Sequence, residues 1–368
     1  MDGRKVTRFG LPGRDVRGNG LGPEAPSPGR RILVTGGAGY IGCVLTERLV
    51  HRGYEVRVLD RLWWGEEPLS ACRGRIELVS ADVREPPPDA FDGVDGVIHL
   101  AGLSNDPTAE YDPEANWEMN AVATAELGKA CAELGIERIV FSSSCSLYDG
   151  LPPGMHDEQA PIQPQGAYAE SKHFAERHLL ELVDGPTHPV IVRFGTVYGY
   201  SPRMRFDLVV NTFVKDALLA GRLELHGGGW MWRPLVDVRD AADALICGLE
   251  APAELASGEI FNVLHSNYQI RELAMLVAGS VKLLGRDVEL EEVPPPELLR
   301  NYECTNAKIA GRLGFIPSRS VVEAISDLLQ EIDIGDRDML TDPRHYNIRW
   351  LELMNELSQG RERFGTAL

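Results

Sequence analysis

An apolar run that turns at once on regularly spaced glycines leaves a chain few ways to fold, and residues 31–42, RILVTGGAGYIG, form such a run. Gly36, Gly39 and Gly42 recur every third residue between an expected strand and an expected helix. Glycine is needed where the chain turns tightly and its backbone closely approaches a ligand, and a helix N-terminus favours negative charge. The pattern therefore predicts a β-turn-α unit with Gly36, Gly39, Tyr40, Ile41 and Gly42 cradling the pyrophosphate of a dinucleotide.

The rhythm of this unit repeats. EVRVLD, IELVS, GVIHLA, RIVFSSS and PVIVRF are short apolar runs separated by longer amphipathic stretches, with helices expected near Pro113–Leu134 and Ala167–Val183. Strands spaced by helices predict an α/β chain with a doubly wound parallel (Rossmann) sheet over 30–200. Past Tyr200 the rhythm loosens into a helix near Leu208–Leu219, an isolated ELHG strand, a helix near Ala241–Leu249, IFNVLH and two further helical stretches after Gln269. Residues 201–368 are accordingly expected to form mainly a smaller C-terminal substrate-binding lobe and C-terminal helices. Residues 1–29, rich in glycine, proline and arginine without apolar periodicity, read as a disordered arm.

Charge narrows the partners. With 37 basic and 55 acidic residues the net charge is −18, which disfavours a nucleic-acid surface and makes a small molecule the default partner. No run of about 18 apolar residues and no secretory leader occurs, so the expectation is a cytoplasmic protein with no membrane partner. The six cysteines lie far apart without a C-x-x-C pair, which fits reduced thiols and no metal site.

Eighteen residues after Gly42 the second strand ends in Asp60. A carboxylate there accepts hydrogen bonds from the adenosine ribose and repels a 2′-phosphate, favouring NAD over NADP, although Arg61 beside it is the residue that would meet such a phosphate. Asp82 and Val83 after the third strand, and Leu100, Ala101 and Gly102 after the fourth, are expected along the same cofactor edge; Asp82 alone also reads as a helix cap.

In GAYAESK, Tyr168 and Lys172 are four apart, on one face of a helix. A phenol normally titrates near pH 10, and a neighbouring ammonium together with a bound nicotinamide cation favours its ionised form, which makes a usable base. Tyrosine and lysine at this spacing also occur on solvated helix faces. The distinguishing feature is RIVFSSS, a buried strand whose last serine, Ser144, falls at its carboxyl end, where a hydroxyl would hold a substrate oxygen against the tyrosine.

Taken in order, TGGAGYIG, HLAG, Asn120 in EMNAVAT, SSSCSLY, YAESK, RFGTVYG, RPLVDVRDAADAL and IFNVLHSNYQIREL resemble the extended short-chain dehydrogenases/reductases, and among them the NAD-dependent nucleotide-sugar epimerases and dehydratases. The resemblance runs from about Arg30 to Leu329. It implies Ser144, Tyr168 and Lys172 as catalytic residues, Asn120 on the cofactor side, and a nucleoside-diphosphate sugar held by the second lobe with Arg233 at its diphosphate.

Dehydratases of this group carry an acid pair directly after the catalytic Ser or Thr, where this chain has Cys145 and Ser146; decarboxylases carry a nearby Glu. A 4-epimerase needs only Ser, Tyr, Lys and tightly held NAD, so C4 inversion through a 4-keto intermediate is the first expectation. A 4-dehydrogenase or ketoreductase, or a dehydratase, is the enzymatic alternative, and an NAD-sensing binding protein the non-enzymatic one. Departures from the group's pattern are Thr196, where many relatives have an Asn contacting the diphosphate, and polar Ser104, Asn105 and Asp106 beside the site. Asp106 reads either as an extra base or as a helix cap, and Cys145 either as structural or as an acid/base. Arg203 and Arg205 lie on a loop expected over the sugar. The resemblance also implies a homodimer through the helices near Pro113–Leu134 and Ala167–Val183, with Ala123, Leu127, Ala130, Phe174, Leu179 and Leu182 as interface candidates.

Overall fold

Seven strands line up in parallel, in the order Glu259–Val263, His188–Phe194, Arg138–Ser144, Gly96–His99, Arg31–Thr35, Glu55–Asp60, Ile76–Ser80. They belong to a computed structural model that describes residues 29–295, 300–332 and 337–364; the expected N-terminal arm lies outside the described residues apart from Gly29. The apolar runs become central strands because both faces are covered: Ile32, Leu33, Val34, Ile98, Ile139 and Val140 are fully buried. Strand order reverses between Arg31–Thr35 and Gly96–His99. Such a switch point opens a crevice beyond the carboxyl ends of the strands, where α/β sheets bind ligands.

The part beyond residue 200 is less separate than its looser rhythm predicts. Strand Glu259–Val263 returns to the edge of the main sheet beside His188–Phe194, and helix Val238–Glu250 packs on the first helix, Tyr40–His51. One apolar cluster therefore runs from Ile32, Val140 and Val190 through Leu245 and Phe261 to Leu273 and Ile325. What stands apart is a three-stranded sheet of Thr196–Tyr198, Trp232–Asp237 and Ser266–Gln269, together with a strand pair, Arg222–His226 and Glu289–Val293, that absorbs the isolated ELHG segment.

The expected helix near Pro113–Leu134 starts with Pro113–Asn116, widens into a π turn over Trp117–Val122, and resumes over Ala123–Leu134 before Gly135 ends it in the left-handed conformation. Ala123, Leu127 and Leu179, expected at a subunit interface, instead face inward and pack with Leu33, Val97 and Ile139, because both helices need those positions to cover the sheet. Outward-facing apolar surface on this pair comes from Trp117, which is 40% exposed, and Val122, with the Phe174 ring centre 5.0 Å from that of Trp117, and from Leu134 at the far end of the helix.

Helix Gly166–Leu180 is bolted to the sheet by a buried ion pair. Arg193 donates to both Glu176 oxygens, at 2.8 and 2.6 Å, with the two side chains 3% and 2% exposed. Ser143 Oγ donates to Glu176 at 2.5 Å, and Arg193 reaches the Tyr148 hydroxyl at 2.8 Å. Removing one partner of such a pair strands a buried charge. Glu176→Ala is expected to lower unfolding stability by about 3–5 kcal/mol, measured by urea denaturation; a loss under about 1 kcal/mol would show that solvent reaches Arg193.

Candidate active site

A cavity of about 300 Å3 occupies the crevice at the strand ends. On one side it meets the glycine turn. Gly36 has φ +75°, and a Cβ there would lie 2.7 Å from the Ala101 nitrogen. A Cβ on Gly42 would lie 2.1 Å from the Gly36 oxygen, so the first helix can sit this close to the turn only without side chains. Gly39 is the N-cap of that helix and supplies no capping side chain, which leaves its first N–H groups to a ligand. Asp60 accepts from Ala38 N at 2.9 Å and Leu62 N at 2.8 Å. Burial raises the Asp60 pKa, and those two N–H groups pull it back. Asp60 lines the cavity with Gly36, Gly39, Tyr40, Ile41, Gly42, Val83, Leu100, Ala101 and Gly102. A side-chain-free cradle at a helix N-terminus, with a carboxylate on the next strand, fits the pyrophosphate and ribose of NAD.

Two expected cofactor residues stand off the cavity. Asp82 is held by Arg61 at 2.9 Å and Arg84 at 2.8 Å, which also commits Arg61 and removes the obvious partner for a 2′-phosphate. Asn120 is buried beneath the Gly102–Leu103 turn, accepting from Leu103 N and donating to Leu103 O, both at 2.8 Å; it shapes the rim from behind.

Ser144, Tyr168 and Lys172 meet in the middle of the cavity. Lys172 donates to Ser142 O at 3.0 Å and lies 5.9 Å from the Tyr168 ring centre. Burial pushes its pKa down to about 8, against the pull of Glu176. Tyr168 is pushed up to about 12 by burial and by Asp106, while Arg300, Arg205 and the Ser144 hydroxyl act to lower it. In the free protein the phenol is therefore protonated, and ionising it requires positive charge to arrive beside it. Ser144 Oγ accepts from Ser146 N at 3.1 Å, and Ser146, also lining the cavity, has a buried hydroxyl without a partner among the described residues.

The far end is cationic. Arg205 forms a fork with Asp207, 2.9 Å on each arm, and donates to Ser104 Oγ at 3.1 Å. Arg233 donates to the backbone oxygens of Trp232 and Arg300 and lies over the Tyr302 ring. It does not brace Asp237 or Asp240: Arg239 holds the first, and the backbone N–H groups of Ser318 and Arg319 hold the second. Thr196, Ser104 and Asn105 line the cavity, but Asn105 is spent capping helix Asp106–Tyr111 through Thr108 N at 3.1 Å. Asp106 is thus neither the cap nor a free base; it pairs with Arg300. Cys145 is not among the cavity residues. Its Sγ donates to Arg193 O at 3.3 Å and packs with Tyr148 and Cys304, because the chain turns into a short 3-10 helix at this residue.

Trp63, Trp64, Arg300, Tyr302 and Asn347 also line the cavity and were not anticipated. The tandem tryptophans, three and four residues after Asp60, were the only visible signal. Arg300, Tyr302 and Asn347 come from distant segments without a local pattern.

Residues 32–263 match the model of the NAD dependent epimerase/dehydratase family, and the chain belongs to that family. It is 30% identical over 314 residues to a putative UDP-glucose 4-epimerase of Methanocaldococcus jannaschii, covering 83% of this chain and 99% of the relative. It is 26% identical to UDP-glucuronic acid decarboxylase 1 of Danio rerio, over 82% of this chain and 72% of that one. The Thermus thermophilus UDP-glucose 4-epimerase complex with NAD superposes with TM-score 0.71 at 27% identity, over 82% of this chain and all of that one.

The depressed Lys172 pKa has a thermodynamic consequence. Below pH 8 both folded and unfolded states hold the proton, and the folded state bears the full cost of the buried charge. Between about 8 and 10.5 only the unfolded state retains it, so this group's contribution to stability rises with pH. In cofactor-free protein, the stability of wild type relative to Lys172→Met should therefore increase from pH 8 to 10.5 in chemical denaturation. A flat difference would mean the amine is solvated.

Proposed function

We propose that the protein is an NAD-dependent nucleotide-sugar epimerase that inverts C4. The observation that carries this reading is the meeting of Ser144, Tyr168 and Lys172 in one cavity where the only lining acids among the described residues, Asp60 and Asp106, are both engaged. Elimination of water or assisted loss of carbon dioxide calls for a free carboxylate at the sugar, and epimerisation does not. Bound NAD supplies the acceptor, and then the donor, of the hydride at C4. Tyr168 takes the proton of the 4-hydroxyl and returns it to the opposite epimer. Ser144 holds the same oxygen through a hydrogen bond. Lys172 carries the positive charge that stabilises the Tyr168 phenolate and keeps the ring placed through its own bond to Ser142 O. Arg233 and Arg205 hold the diphosphate, with Thr196 beside it. A second copy of this chain is expected on the Trp117, Val122 and Phe174 surface, forming a homodimer.

The relative from Danio rerio supports a competing reading as a uronate decarboxylase. Incubating purified protein with a panel of UDP-sugars and following products by NMR separates the two. Interconversion of C4 epimers without added NAD is expected; carbon dioxide release, or reduced cofactor accumulating with product, would replace the epimerase assignment. Tyr168→Phe should cut turnover by ~10²–10⁴ while bound NAD content stays unchanged. Retention of a tenth of the activity would take the base role from Tyr168.

A further inference from the structure

Arg203 is 3% exposed, lines the cavity and forms no ion pair among the described residues. Its nearest acid by chain position, Asp207, is taken by both arms of Arg205. The guanidinium lies 4.1 Å from the centre of the Trp64 ring, and its Nη2 donates to Asn347 Oδ1 at 2.5 Å. Two donors at this spot, Arg203 Nε and Trp64 Nε1, are buried without a partner among the described residues. Burial and the neighbouring Arg205 charge press the Arg203 pKa down to about 9, the direction expected of a cation kept from water without a matching anion.

The surroundings of Arg203 indicate which anion is missing. The segment just before it is tied to the first turn of helix Tyr40–His51: Ser201 Oγ donates to Tyr40 O at 2.7 Å, and Tyr40 OH donates to Gly199 O at 2.6 Å. The Arg203 charge also acts on Asp60. Arg203 thus stands by the helix N-terminus and the ribose carboxylate, at the cofactor end of the cavity. The partner that aims it, Asn347, opens helix Asn347–Phe364, beyond the residues the family model matches. Asn347 is itself 3% exposed and donates to Ser104 Oγ at 3.0 Å, and Trp350 Nε1 donates to Trp63 O at 2.7 Å.

We propose that Arg203 is a second clamp on the NAD pyrophosphate, facing the N-terminus of helix Tyr40–His51 across the cleft, and that the C-terminal segment locks the cofactor in by positioning Arg203 through Asn347 and the Trp63–Trp64 turn through Trp350. The inference rests on the cofactor and is independent of which sugar carbon reacts.

The test uses full-length protein freed of NAD and titrated with ADP-ribose by calorimetry and with adenosine by NMR. Arg203→Gln should weaken ADP-ribose and NAD by about 10–100-fold, the range of a lost hydrogen bond to a charged group, and leave adenosine within twofold. Arg203→Lys should recover part of the loss, and Asn347→Ala should speed NAD release. Equal weakening of ADP-ribose and adenosine, or unchanged ADP-ribose affinity, overturns the clamp. If Arg203→Gln does not fold, an Asn347→Ala protein that releases NAD at the wild-type rate overturns the lock by itself.

Discussion

The placement of Ser144, Tyr168 and Lys172 against one another depends on one buried charge pair. Glu176 sits two turns below Tyr168 on helix Gly166–Leu180, and Arg193 lies on the strand paired to Arg138–Ser144. Their twofold contact, with Ser143 on the same carboxylate, sets the height of the helix against the strand that ends in Ser144. A hydrophobic contact would permit sliding by a fraction of a turn; a fork of charge-assisted bonds in a dry setting does not. Strand alternation makes this work. The Ser143 hydroxyl donates to Glu176 and supports the helix, while the neighbouring Ser144 hydroxyl meets Tyr168.

The network continues away from the cavity. Arg193 reaches the Tyr148 hydroxyl, Tyr148 donates to Asn262 at 2.8 Å on the edge strand, and Asn262 N donates to Glu158 at 2.7 Å. Chain segments far apart in sequence are thereby tied to the strands that hold Ser144 in place. Cys145 shares this surrounding, which accounts for its burial away from substrate.

The sequence made the cofactor half of the site legible because that half is local. A strand, a glycine turn and a helix N-terminus lie within a dozen residues, and backbone geometry alone dictates Gly36 and Gly42. Tyr168, Lys172 and Ser144 were legible for a similar reason, each following from helix spacing or a strand end. Asp82 and Asn120 stand off the cavity because the Arg61 and Arg84 side chains take up the one and the Leu103 backbone the other, pairings that neither a strand end nor a motif announces. The parts of the cavity built from distant segments were hardest to read. Arg300 follows a proline-rich segment, Asn347 opens a late helix, and their partners Asp106 and Arg203 lie more than a hundred residues earlier. No periodicity encodes such pairings, since they arise only when the chain closes on itself.

This closure also explains the distribution of charge. A chain of net charge −18 surrounds a cavity lined by Arg61, Lys172, Arg203, Arg205, Arg233 and Arg300 against only Asp60 and Asp106 among the described residues. Concentrating cations at a recessed site within an acidic shell focuses the field on an anionic ligand, while the shell keeps the surface soluble. The pairing of these cations is uneven in an informative way. Arg61, Arg205 and Arg300 have carboxylate partners and stay charged at little cost without ligand. Among the described residues Arg203 and Arg233 have only neutral partners, and burial lowers the pKa of each. An arginine held that way gains most when an anion arrives, so these two positions, one at each end of the cavity, are where a bound phosphate gains the most electrostatic stabilisation.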